Sequence, residues 1–257
     1  MARERTRSRT RKPLPAPLPP ETRTVGQLVA ETMRLYGRRF FVALPLAVPI
    51  TVTDQLVIGH RYGGSAVIYL AAAPVFTAAY VYASAIVTGT RPSLRRTATA
   101  LAVGTLVFLP AAVALPGLSI GAVVWLALVG LVVPAAVAEG GGAWALLRRG
   151  LALGRVDYVH AAGSLATLVL ILAATRPPLW TLLRLQGDSS ARVAFALADV
   201  ALSPMVFLGA AVLYLDQAAR LGSRARRPRR SDADLPDADD PHGEGRADAQ
   251  LQPGAPS

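Results

Sequence analysis

The sequence predicts an all-α, polytopic membrane bundle of about six transmembrane helices, with amphipathic interfacial helices on the cytoplasmic side. Three observations carry this. Six apolar stretches fill the chain between Phe40 and Leu215, each near the roughly 20 residues that cross about 30 Å of hydrocarbon. Charged residues make up 17% of the chain and hydrophobic residues 53%, with a mean hydropathy of +0.40, whereas a soluble domain carries about 25% charged residues. The basic residues also alternate in density from one loop to the next, as membrane topology requires.

The first 23 residues mix Arg with Pro and contain no apolar core of the 7–15 residues that a signal peptide needs, so they read as a disordered basic arm. Thr24 to Arg39 then reads as an amphipathic helix. Val25, Leu28, Val29, Thr32, Tyr36 and Phe40 share one stripe, and Gln27, Glu31, Arg34 and Arg38 lie opposite. Thr24 and Gln27 fit a capping box. This helix is expected in the headgroup region, with Arg34, Arg38 and Arg39 turned toward anionic lipid.

The spans are expected at about 40–59, 65–88, 98–115, 117–138, 158–175 and 191–215. Only Pro116 separates the third from the fourth; each is nearly long enough to cross alone, so a tight hairpin is expected. Gly140-Gly141-Gly142 reads as the break after the fourth span. Residues 142–155 repeat the amphipathic theme, with Trp144, Leu147 and Leu151 on one face and Arg148, Arg149 and Arg155 supplying charge. Arg91 to Arg96 forms a shorter third version, which suggests three degenerate units, each a basic lead-in followed by a membrane hairpin. The membrane domain therefore covers 24–221. Residues 222–257 read as a disordered tail, basic and then acidic and rich in Pro and Gly. No aromatic residue interleaves its arginines, so no nucleic-acid partner is expected.

Orientation follows from the arginines. With the amino terminus inside, 23 of the 27 basic residues fall on the cytoplasmic face, leaving Arg61, Arg176, Arg184 and Arg192 outside. Both termini are expected to be cytoplasmic.

Chemistry is sparse. The chain has no cysteine and only three histidines, His60, His160 and His242, with no pair at ligand spacing, so no metal, no cofactor and no catalytic set is expected. His160 reads as an interfacial or interhelical hydrogen-bonding residue. Asp54 and Asp199 are intramembrane acids, which cost several kcal/mol unless paired, hydrated or protonated. They are the ligand or ion candidates, against the alternative that one reaches the outer interface and the other bonds a neighbouring helix. Glu139, Asp157 and Asp216, with Arg148, Arg149, Arg155 and Arg220, form an expected inner-face charge cluster that docks helices. Gly117/Gly121 and Gly150/Gly154 match small-xxx-small spacing, a weak signal in a chain so rich in small residues. Prolines in five of the spans fit either a transporter or a bundle whose neighbours satisfy the backbone.

The run Val132-Val133-Pro134-Ala135-Ala136-Val137-Ala138-Glu139-Gly140, followed by 145–155, resembles a bacterial integral membrane family similar to the membrane domain of some glycerophosphoryl diester phosphodiesterases. Leu35 to Phe40 and Leu213 to Arg220 are similar to that family's opening and closing segments, and the likeness spans about 24–222. The resemblance implies a stand-alone, non-enzymatic protein of the bacterial cytoplasmic membrane without the phosphodiesterase barrel. It also implies an arginine just after the closing aspartate, where this chain has Gln217 and Ala218. The expected role is assistance in lipid handling or envelope assembly, with anionic membrane lipids and a membrane protein as partners. The alternative is a small-solute transporter or channel using Asp54 and Asp199.

Overall fold

A computed structural model of the chain describes residues 19–183 and 187–226. Among these residues every regular element is a helix, and six helical stretches are long and apolar enough to cross a membrane. The chain divides into two compact units, Met1–Ser223 and Arg224–Ser257, and only Arg224–Arg226 of the second are described. The basic arm before residue 19 and the tail beyond 226 lie outside the described residues, as do His242 and Arg184.

Helix α1 (Val25–Arg38) opens with the expected capping box: Gln27 N donates to Thr24 Oγ1 at 3.4 Å, and Thr24 N donates to Gln27 Oε1 at 2.8 Å. Its apolar stripe, however, faces protein. Leu28 and Val29 are buried in a cluster with Leu131, Leu153, Ala161, Leu168 and Val212, so the stripe packs on the bundle. The Tyr36 hydroxyl is enclosed without a partner, and burial pushes its phenol above the ordinary value. The arm expected at 1–23 also ends early. Pro20–Thr22 forms a 3-10 turn, and Arg23 is bound into the bundle.

The first span is three pieces: α2 (Phe40–Ala43), a 3-10 turn at Leu44–Ala47, and α3 (Val48–Val57). Pro45 and Pro49 each remove a backbone donor and crowd the preceding turn, which explains the segmentation. Helix α4 (Tyr62–Thr88) tolerates Pro74 and stops at Gly89, whose φ of +66° makes it a left-handed cap. Ser93 caps α5 (Leu94–Ala114) through the Arg96 amide at 3.5 Å. The segment 91–96 therefore starts the span itself, and no separate lead-in helix precedes it.

The expected hairpin is present. Helix α6 (Ser119–Val129) folds back on α5, Leu118 N donates to Ala114 O at 2.6 Å, and Trp125 Nε1 donates to Val107 O at 2.8 Å. The fourth span then breaks before α7 (Val132–Ala138). Gly130 N still reaches Leu126 O, but the ladder resumes only with Val133 N to Gly130 O at 3.3 Å and Ala135 N to Leu131 O. This span is the most enclosed of the six.

Gly140 and Gly141, at φ +69° and +132°, turn the chain into α8 (Ala143–Val156). Gly150 and Gly154 of α8 sit directly on the break. A Cβ on Gly150 would strike Val132, and one on Gly154 would strike Leu128 O. The weak Gly150/Gly154 match thus marks a true close approach, whereas a Cβ at Gly121 would meet only an ordinary contact with Leu118. Asp157 caps α9 (Tyr158–Ala174) by accepting from His160 N at 3.1 Å. After Thr175 the helix restarts as α10 (Arg176–Leu183). Helix α11 (Asp188–Arg226) has 39 residues, about 58 Å of rise. It continues past both the expected span end at Leu215 and the expected tail boundary at 222.

Candidate functional site

Two charged assemblies lie along α11. Asp199 belongs to one and Asp216 to the other, 17 residues or roughly 25 Å of helix rise apart.

The first assembly joins both intramembrane acids. Asp54 sits near the end of α3 and Asp199 in the early turns of α11, and Arg176, at the restart of α10, donates from Nη2 to both carboxylates. The Asp199 contact is 3.1 Å, and Tyr69 Oη adds a hydrogen bond to Asp54 Oδ1 at 3.2 Å. Asp199 is 1% exposed, and its fixed neighbour Arg176 is 39% exposed. Both acids are thus bonded to a neighbouring helix. Sequence reasoning found the two carboxylates and missed Arg176, which it assigned to an outer loop. The available signal was depth: Arg176 closes the fifth span at the level where Asp54 and Asp199 lie in theirs.

Asp54 and Arg176 of the triad, but not Asp199, line a cavity of about 360 Å³, within the ~300–1,000 Å³ usual for small-molecule sites. Phe76, Tyr80, Phe108, Leu126, Leu165 and Phe207 wall its apolar length, and Asp54, Tyr69 and Arg176 line it as well. The break in the fourth span contributes Gly130. An apolar chamber with a few polar groups at one end suits an amphiphile better than a hydrated ion.

The second assembly holds α1 and α11 to the start of α9. Arg23 Nη1 donates to Asp216 Oδ1 at 2.7 Å, and Asp216 is completely buried. Arg220 pairs with Asp157 and donates from Nη2 to Arg23 O at 2.7 Å, while Gln217 Nε2 donates to Asp157 O at 3.1 Å. The arginine that the resemblance implies beside Asp216 is supplied instead by Arg23, 193 positions away. His160 Nε2 lies 4.0 Å from Asp216 Oδ2, and both atoms are buried without a hydrogen bond.

The expected seven-residue inner cluster is therefore two sets. Glu139 binds Arg149 through both carboxylate oxygens at 3.0 Å and accepts from Tyr214 Oη at 2.9 Å. Arg148 and Arg155 are exposed and form no ion pair among the described residues. The reason is helical phase. Leu146, Gly150, Leu153 and Gly154 occupy the buried face of α8, which turns positions 148 and 155 outward together. The three arginines expected toward lipid, Arg34, Arg38 and Arg39, are all exposed; Arg34 also pairs with Glu31 at 2.8 Å, and Arg39 donates to Ile86 O at 3.3 Å near the end of α4.

Around these arginines the surface is both basic and apolar. Phe41 is 84% exposed, Leu94 87% and Trp144 73%, beside Arg38, Arg95 and Arg148 in the chain. A second hollow of about 380 Å³ lies between Arg95, Arg96, Ser93 and the Gly140–Gly142 turn. Among the described residues no group of His, Asp and Glu could hold a metal ion. Comparison with family models, characterised proteins and solved structures gives no match to this chain.

Proposed function

We propose that this protein is a non-enzymatic component of a bacterial cytoplasmic membrane that holds a lipid in the cavity between α3, α4, α5, α6, α9 and α11. The observation that carries this reading is the cavity itself, about 360 Å³ of aromatic and aliphatic wall with charged groups confined to one end. That distribution matches an amphiphile, because the charged residues of the lining, Asp54 and Arg176, lie together where a headgroup would sit. The α1 face adds a basic rim with exposed Trp144, Leu94 and Phe41, a composition that suits the boundary of an anionic leaflet. We assign that face to the cytoplasm on the arginine distribution, with both termini there. The likeness to the phosphodiesterase membrane domain agrees with a role in lipid handling or envelope assembly beside a membrane protein partner.

Native mass spectrometry of protein released gently from membranes tests this. The wild type should retain a stoichiometric amphiphile, and Val169→Trp, which fills the cavity from α9, should lose most of it while keeping its melting temperature. A bare wild-type chain, or an adduct indifferent to Val169→Trp, would overturn the reading. The second reading is transport of a small solute, favoured by the meeting of Asp54, Arg176 and Asp199 beside that cavity. It requires proteoliposome flux that Asp54→Asn and Asp199→Asn abolish.

A further inference from the structure

The charges of the triad do not balance. Two carboxylates, Asp54 and Asp199, share one guanidinium, and among the described residues no second cation lies within ion-pair distance of either. One negative charge is thus left over, at the end of an apolar chamber, with Asp199 almost wholly buried. An unmatched charge in such surroundings is costly unless it is hydrated, protonated or joined by a positive group.

Three further polar atoms, on the triad or on the helical turns beside its acids, have no partner. Arg176 Nε is buried and unbonded, as are Thr51 Oγ1 and Ser203 Oγ. Thr51 precedes Asp54 by three residues and Ser203 follows Asp199 by four, so each hydroxyl shares a helix face with its acid. Ser203 is fully buried. The cavity therefore offers one excess negative charge, carried into its lining by Asp54, and one N–H donor without an acceptor on Arg176, while the two hydroxyls stand on the turns beside the acids, outside the lining.

We propose that the cavity takes an amphiphile with a primary-ammonium head and a neighbouring oxygen acceptor. The ammonium completes the charge of the Asp54/Asp199 pair and donates to the Asp54 carboxylate and the Tyr69 hydroxyl, both in the cavity lining. The adjacent oxygen accepts from Arg176 Nε. The hydrocarbon lies along Phe76, Phe108, Leu165 and Phe207. This inference rests on the lipid reading above and adds the charge class of the ligand, which is opposite to that of the anionic leaflet the basic face suits.

A matched probe series tests it on the full chain in neutral-lipid nanodiscs. Sphinganine carries an ammonium and two hydroxyls, N-acetylsphinganine removes the charge, and sphinganine 1-phosphate keeps the ammonium but adds a phosphate that makes the net charge of the head negative and opposes the Asp54/Asp199 pair, all on one hydrocarbon chain. Sphinganine should bind at least about tenfold more tightly than either, and Asp199→Asn should shrink that ratio toward one with the melting temperature unchanged. If all three bind alike and Val169→Trp removes them, the charge class is wrong and lipid binding stands. If none binds, or Val169→Trp has no effect on any, both fail. Should Asp199→Asn not fold, the ratio among the three probes on wild-type protein decides alone.

Discussion

The two charged assemblies on α11 use the same residue types to different ends. At the α1 face, Arg23 and Arg220 meet Asp216 and Asp157 one for one, and the result ties three helices together. At the triad, two acids meet one arginine next to an open chamber. A buried pair with matched charge explains itself as docking; removal of one member leaves its partner stranded. An excess charge beside a cavity has no such internal explanation. The lesson is that stoichiometry, more than burial, separates a structural ion pair from a binding site in this molecule.

Neutralising each assembly should therefore give unequal losses. Asp216→Asn leaves Arg23 without its counter-charge inside the bundle and should cost about 3–5 kcal/mol, read as a drop in melting temperature together with new proteolytic cleavage before α1. Equal stability would show that α1 is held by its apolar stripe alone. Glu139→Gln weakens a half-exposed pair with Arg149 and should cost only about 0.2–1 kcal/mol, measured the same way. Asp199→Asn is the smallest. It converts the triad into a matched Asp54/Arg176 pair and should move stability by no more than about 0.5 kcal/mol, the scale of neutral substitutions. A loss near that of Asp216→Asn would make the triad another docking pair and remove the ground for a cationic ligand.

Much of the architecture was legible because the bilayer restricts what the chain can do. Span number follows from apolar length, and the first helix from the 3.6-residue stripe and the Thr24/Gln27 box. Partnership across the sequence was not legible. Arg23 to Asp216 and Arg176 to Asp54 are separated by 193 and 122 positions, and only assembled helices bring them together. The acids of the site were readable because a carboxylate in an apolar run is costly wherever it lies. Arg176 was hidden by its place at a span end, where an arginine needs no special reason. The outward turn of Arg148 and Arg155 was likewise invisible until the glycines of α8 fixed which face is buried.

Those glycines also set an order of events. The fourth span breaks at Gly130–Leu131, deep in the bundle, and the cover over that break is α8, whose Gly150 and Gly154 lie against Val132 and Leu128. The backbone there is sheltered only after the ribosome has made about twenty more residues. Until then, the interrupted ladder faces lipid or the insertion machinery, where exposed peptide groups are costly. Membrane integration of this chain is thus incomplete at the moment its fourth hydrophobic segment emerges, and a bulky residue at position 150 would act during biogenesis, before any mature protein exists to be destabilised.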